Sequence, residues 1–253
     1  MSISRRDALR WIAAPIGLAA IGVAPSALTF TPHPSRASKL KVLVAGGHPD
    51  DPESGCGGTI ARYVEAGHAV MVLYLTRGEA GIEGKSHDEA ARIRTAEAER
   101  ACAILGAKAR FGGQVDGDTR IDRAAYAAMR ELLDQERPDV IFTHWPVDTH
   151  PDHRAASLLT YEGWLRMGRT AALGYFEVLS GDQTQLFDPT DYIDITAVAQ
   201  RKRDATFAHQ SQKPDEWYPA HERMARFRGM EHGCEYAEAF IRHDRGPAIP
   251  FPD

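Results

Sequence analysis

Two short segments hold the residue types that could do chemistry. His48-Pro49-Asp50-Asp51 sets one imidazole beside two carboxylates, and Thr149-His150-Pro151-Asp152-His153-Arg154 sets two imidazoles around one carboxylate. A borderline cation such as Zn²⁺ takes His nitrogen and Asp oxygen at roughly 2.0–2.2 Å, and a catalytic site uses about three protein ligands and keeps a position open. Either segment alone reads equally as a solvated turn, because His, Asp and Pro are common in loops. Two of them, each directly after an apolar run, read as one site divided between two loops. A carboxylate left over beside the ligands suits hydrolysis, where a base must reach water without binding the metal. Two His and one carboxylate also describe non-haem iron oxygenases. A metal- or sugar-binding protein without turnover is a third reading, though it has no need of the spare carboxylate.

The elements that must position these segments can be read around them. Lys41–Ala45 is an apolar run of the buried-parallel-strand kind, ending in Gly46-Gly47 just before His48. Ser54–Gly58 reads as a small-residue turn and Thr59–Ala66 as a helix closed by Gly67-His68. Val70–Leu75 reads as a second strand, followed by a polar loop over Thr76–Asp88. Glu89–Leu105 has helical spacing with Gly106 as its cap. A helix over Arg123–Gln135 and a strand over Asp139–Thr143 follow, the strand leading toward the second segment. Gly174–Leu179 and Tyr192–Thr196 are weaker strand candidates, and Val198–His209 and His221–Arg228 read as helices. Strands alternating with helices imply an α/β fold, Rossmann-like and three-layered, with a mainly parallel sheet. In such sheets ligands gather outside the carboxyl ends of the strands, where both segments fall. Gly55, Gly57 and Gly58 do not meet the GxGxxG spacing of a dinucleotide fingerprint.

Composition narrows the class. The chain has 253 residues, 43% hydrophobic and 26% charged, with a formal net charge of -5. A net negative chain with scattered Lys and Arg gives no electrostatic case for nucleic acid. Cys56, Cys102 and Cys234 form no CxxC pair and read as small buried hydrophobes. Arg5-Arg6 precede an apolar stretch from Trp11 to about Leu28 that is broken by Pro15 and Pro25. That layout resembles a twin-arginine export signal, with an uncleaved membrane anchor as the other reading. Residues 1–38 are therefore expected to be signal and lead-in, and residues 39–253 one domain. Export machinery is then a partner and the periplasm the expected location. A homo-oligomer is compatible with the sequence.

The paired motifs carry a specific resemblance. Together with Val42–Asp51, Leu75–Glu79, Arg94–Glu97 before Ile104-Leu105-Gly106, Asp116-Gly117, Thr143–Arg154, Asp194–Thr196, Lys202 and His209, they resemble the PIG-L/LmbE family of zinc-dependent de-N-acetylases. The resemblance implies an LmbE-like fold and a hydrolase that removes an N-acetyl group from an amino sugar, glycan or related polar substrate. An amidase that cleaves a thiol-sugar conjugate is the alternative within the family. The resemblance further implies His48, Asp51 and His153 as metal ligands, Asp50 as general base and His150 as the imidazole facing the substrate, in cationic form. Zn²⁺ is the implied metal, with Fe²⁺ or Co²⁺ as substitutes. Asp152 is a candidate for orienting a neighbouring imidazole, with a solvated loop carboxylate as the other reading. Arg77 with Glu79, Asp116 and His209 are candidate substrate contacts, against surface charge, turn formation and packing respectively. Arg94 and Glu97, spaced i,i+3, could pair with each other. Trp145 and Trp217 could stack on a sugar or pack in the core. Two departures from the family pattern stand out. Pro52 and then Glu53 follow Asp51 where Glu usually follows directly, and Asp148 stands where some members have a carbonyl-polarising Tyr.

Overall fold

The computed structural model describes residues 39–252, so the twin-arginine segment lies outside the described residues. Apolar β-branched and aliphatic runs form the sheet. β1 is Lys41–Gly46, β2 Ala69–Tyr74, β3 Lys108–Phe111, β4 Val140–His144, β5 Ala172–Phe176, β6 Asp191–Asp194 and β7 Ala237–Arg242. Their order across the sheet is β3-β2-β1-β4-β5-β7-β6. The first five are parallel, while β7 runs antiparallel to both β5 and β6.

Alternate side chains of β1 serve opposite faces, as the pleat requires. Val42 and Val44 pack with Ile60, Cys56 and Ala98 on one side. Leu43 and Ala45 pack with Met129, Leu133, Leu159 and Trp164 on the other. The first face is covered by α1 (Asp51–Glu65), α2 (His87–Leu105) and α5 (Ala199–Phe207), and the second by α3 (Arg123–Glu136) and α4 (Pro151–Arg166). α6 (Pro214–His232) packs against β6 and β7. The architecture is thus a three-layer α/β fold. Among the described residues no helix is long and apolar enough to cross a membrane.

Three differences from the sequence-based expectation have physical causes. Ser54–Gly58 is helix rather than turn, since α1 begins at Asp51. Its glycines are there for close packing: a Cβ on Gly55 would lie 2.5 Å from Phe176 Cδ2, and one on Gly58 2.6 Å from Ile195 Cγ2. The second motif opens α4, a helix whose polar first turn hides its start; His150 is the N-cap and Pro151 enters the first turn, where no amide donor is needed. β3 and β7 carry charged residues within short strands and do not stand out as apolar runs.

The carboxyl ends of β1 and β4 are neighbours in the sheet. From β1 the chain moves outward to β2 and β3, then returns to β4 on β1's other side. This is a topological switch point, and the loops after the two strands face each other across it.

Candidate active site

Gly47 follows β1 and permits the close approach of the two motifs. A Cβ there would come within 3.1 Å of His153 Cδ2 and 3.2 Å of Asp51 Oδ2. From the first motif, His48 Nδ1 lies 3.2 Å from Asp51 Oδ2, and the His48 amide donates to the same oxygen at 2.7 Å. From the second, His153 Nε2 lies 3.2 Å from Asp51 Oδ1. The outward nitrogens of both rings rest on carboxylates. His48 Nε2 lies 3.0 Å from Asp152 Oδ2 and 3.3 Å from Asp116 Oδ1, and His153 Nδ1 lies 3.1 Å from Asp148 Oδ1.

This arrangement fits a divalent cation. A carboxylate on the far nitrogen fixes the tautomer of a ligating imidazole and makes it more basic. Deprotonated for a metal, both rings would present a nitrogen toward Asp51, and two nitrogens with a carboxylate match a three-ligand catalytic site. Three overlapping groups bring ligand atoms within 4.8 Å of one another: His48, His150 and His153; Asp51, His144 and His153; and His48, Asp116 and Asp152. The third uses the outward nitrogen of His48, and its Asp152 is already committed, accepting from Gly117 N at 2.9 Å and Thr119 Oγ1 at 2.6 Å. None of these groups unites His48, Asp51 and His153, and that set rests on the two imidazole contacts to Asp51, at 3.2 Å each. Without a cation the imidazoles themselves carry the positive charge that balances Asp51. Burial alone would raise the Asp51 carboxyl, yet His153, His144 and His48 hold it well below the usual range. Burial works against a charged His153, yet Asp51 and Asp148 push it up to about 9.

Asp50 sits beside these donors in an uncommon backbone conformation, with φ +111°. Arg94 of α2 secures it, donating to Asp50 Oδ2 at 2.9 Å and to the Pro49 carbonyl. Burial pushes the Asp50 carboxyl up to about 6, with Asp51 adding to the rise and Arg94 opposing it. The result is a carboxylate of raised basicity next to the donor set. Beside it opens a cleft of about 350 Å³, lined by Asp50, Asp51, Ser54 and the segments around Leu179 and Trp217.

Comparisons with known proteins identify the family. The family described as PIG-L, GlcNAc-PI de-N-acetylase, matches residues 43–163, which include both motifs. Diacetylchitobiose deacetylase of Thermococcus kodakarensis is 31% identical over 218 residues, covering 78% of this chain and 81% of that one. The chain belongs to the PIG-L family. A 1D-myo-inositol 2-acetamido-2-deoxy-alpha-D-glucopyranoside deacetylase of Rhodococcus erythropolis is 31% identical over 155 residues, with 49% of this chain and 52% of that one covered. Among solved structures, N,N'-diacetylchitobiose deacetylase from Pyrococcus horikoshii superposes with a TM-score of 0.73 at 27% identity, covering 81% of this chain and 84% of that one.

Both departures from the PIG-L pattern find a structural place. Pro52 occupies the first turn of α1, where its ring is tolerated. Glu53 turns into the core, accepts from Tyr74 Oη and lies 3.3 Å from His209 Nε2. Asp148 does not take up the role of a carbonyl-polarising Tyr. It is buried beneath His153 and also accepts from His150 N at 2.8 Å and Thr184 Oγ1 at 3.0 Å.

The surroundings of His150 work against the expected cationic imidazole. Burial and its neighbours His48 and His153 lower its pKa. Its Nδ1 accepts the Asp152 amide at 3.2 Å, which leaves the proton on Nε2. In that tautomer Nε2 is a donor. The candidate substrate contacts scatter. Arg77 is exposed, over the Phe111 ring at 5.7 Å, and does not line the cleft. Asp116 braces His48, and its other oxygen accepts from Ala80 N. His209 is fully buried behind Glu53. Arg94 and Glu97 do not pair: Glu97 instead accepts from Ser211 N and Oγ at 2.8 and 2.6 Å. Trp145 packs on Tyr175 and donates to the Gln185 carbonyl. One buried residue escaped the sequence reading altogether. His144, the last residue of β4, accepts from Gly47 N at 3.0 Å and stacks on His153 at 4.1 Å. Burial and His153 push it down to about 4, so it serves as a neutral shelf. Its place at the end of β4, next to the second motif, was the available signal.

Proposed function

We propose that the chain is a zinc-dependent N-deacetylase acting on an N-acetylated amino sugar or glycan. The observation that carries this reading is the convergence of His48, Asp51 and His153, with Asp50 beside them and bound to none of them. His48, Asp51 and His153 would hold the metal. Zn²⁺ supplies a Lewis acid that acidifies water and polarises an amide carbonyl. Asp50 takes the proton of the attacking water at its carboxylate and later delivers it to the departing amine. A base with a pKa near 6 is charged at neutral pH and still holds a proton well enough to return it. Neutral His150 donates from Nε2 to the carbonyl oxygen as negative charge develops there. The sugar chemistry is supported by the relatives' own substrates, diacetylchitobiose and the acetamido-glucosyl inositol.

The test is acetate release by the zinc-loaded chain from a panel of N-acetylated sugars. Asp50→Asn should retain stoichiometric zinc and lose activity by about 10² or more, within the range for a general base. Parent-like turnover by zinc-loaded Asp50→Asn would overturn the assignment. Residues 1–38 are proposed as a twin-arginine export signal, in keeping with the Arg5-Arg6 pair before an apolar stretch. Arg5→Lys with Arg6→Lys should leave the protein in the cytoplasmic fraction, and unchanged periplasmic recovery would reject the signal.

A further inference from the structure

The chain after β5 meets two parts of the site at once. Val178, Leu179, Asp182 and Gln183 line the cleft together with Asp50 and Asp51. Thr184, the next residue, turns inward and is almost wholly buried. Its hydroxyl accepts from the Val178 amide at 2.8 Å. Two acceptors compete for its single proton, Asp148 Oδ2 at 3.0 Å and the Val178 carbonyl at 3.2 Å. The carboxylate is the nearer and, being charged, the stronger acceptor.

Asp148 is the carboxylate beneath His153. Its Oδ1 accepts from His150 N at 2.8 Å and lies 3.1 Å from His153 Nδ1. Bonds to one oxygen alone leave a carboxylate free to swing about its Cβ–Cγ bond. A donor on the second oxygen fixes its plane, and Thr184 supplies that donor. The side chains of His153, Asp148 and Thr184 thus form one line of contacts, from a metal ligand to the backbone of the cleft wall.

The wall itself is a turn under strain. Leu179 has φ +50°, which a bulky side chain rarely adopts. Such a residue persists where its neighbours over-determine it. Thr184 closes the turn: its amide donates to the Val178 carbonyl at 3.3 Å, and Gly181 N donates to the Thr184 carbonyl at 2.9 Å. Two further backbone bonds fasten the turn to the loop before the second motif, Thr149 N to the Gln183 carbonyl at 3.0 Å and Gln185 N to the Val147 carbonyl at 2.8 Å. A valine here would have the same shape and make neither side-chain bond, so packing alone does not require the hydroxyl.

We propose that Thr184 is a positioning residue that fixes the Asp148 carboxylate under His153 and locks the cleft wall to the metal's ligand loop, so that metal affinity depends on the conformation of the wall. This rests on His153 as a metal ligand and on no particular substrate. By linkage, whatever tightens one end of the line tightens the other.

Thr184→Val removes both side-chain bonds at constant shape, and Thr184→Ser keeps them. In a chelator-competition titration Thr184→Val should bind zinc roughly 3- to 10-fold more weakly, below the 10- to 100-fold for loss of a ligand's direct partner, while Thr184→Ser should bind it like the parent. In the Asp148→Ala background Thr184→Val should add no further loss, because the two residues act through one contact. Unchanged affinity in Thr184→Val, or a full additional loss in the double variant, overturns the proposal. Amide exchange followed by NMR gives a readout without metal. Thr184→Val should speed exchange at His150, whose amide rests on Asp148, by about 5-fold, the size of one net hydrogen bond. Faster exchange at Val178 with His150 as in the parent would mark a merely local role and reject the proposal. The unsubstituted chain supplies a third arm. Zinc should slow exchange at Val178 more than at Thr190, which precedes β6 and donates its amide to the Phe240 carbonyl at 2.8 Å; equal slowing at both rejects the link. If the parent takes up no zinc, the metal reading falls, while exchange at His150 still upholds or rejects the hold of Thr184 on Asp148.

Discussion

At the residue scale the site depends on side chains that touch no metal. Asp50 is held in a strained conformation, and such a conformation, costing of the order of 1–3 kcal/mol, persists only when neighbours over-determine it. Arg94 is that neighbour, through Asp50 Oδ2 and the Pro49 carbonyl. The base must be ionised to act, so kcat/KM should fall with acid as pH drops below the Asp50 pKa of about 6. Arg94 works to lower that pKa. Arg94→Met should therefore move the acid limb of the pH–rate profile to higher pH and lower kcat, whereas Arg94→Lys should move it less. A profile that keeps its position in Arg94→Met would remove Arg94 from this role. Asp148 acts on the ligand side. Without its carboxylate, His153 loses the partner on Nδ1, and loss of such a partner costs about 10–100-fold in metal affinity. Asp148→Ala should show that loss in a chelator-competition titration while the far-ultraviolet circular dichroism stays as in the parent. Retained affinity would make Asp148 a packing residue only.

At the element scale α1 presents both the base and a ligand from its first turn, and its middle is pinned from outside. The amides of Gly58 and Thr59 donate to Glu238 Oε1 and Oε2 of β7 at 2.8 and 2.7 Å. Lys202 of α5 completes the arrangement, its Nζ 2.7 Å from Glu238 Oε1. Both partners are almost wholly buried. Removing one partner of a buried pair strands the other charge, typically at about 3–5 kcal/mol. Glu238→Ala should thus lower the melting temperature by roughly 10 °C for a domain of this size. The exposed Arg201–Glu65 pair offers the contrast, since surface pairs contribute about 0–1 kcal/mol. Replacing Lys202 and Glu238 together by Met and Gln should cost less than Glu238→Ala alone. If the double variant is the less stable of the two, the loss does not come from a stranded charge.

At the scale of the whole molecule the site is a consequence of strand order. β1 and β4 are adjacent and parallel, so the loops after them meet with no further device. This much was readable from sequence, because buried parallel strands are continuous apolar runs and the two motifs follow two of them. Less was readable where partners are distant in sequence. Nothing local to Asp148 announces that it lies beneath His153, nothing near Glu53 reveals Tyr74 and His209, and α1's glycines looked like a turn until Phe176 and Ile195 were seen against them. The same strand order makes the metal a link between loops that are far apart in the chain. A ligand that binds only the folded state stabilises it by about 4 kcal/mol at a thousandfold excess over its Kd. Zinc should therefore raise the melting temperature of the chelator-treated protein by about 10 °C. Asp50→Asn should keep that rise, since Asp50 is no ligand in this assignment. Asp51→Ala should abolish it, since the Asp51 carboxylate lies against both His48 and His153. Scanning calorimetry with and without zinc separates the two outcomes. A full zinc-dependent rise in Asp51→Ala would place the cation elsewhere among the histidines, and the division of labour between Asp50 and Asp51 would fall with it.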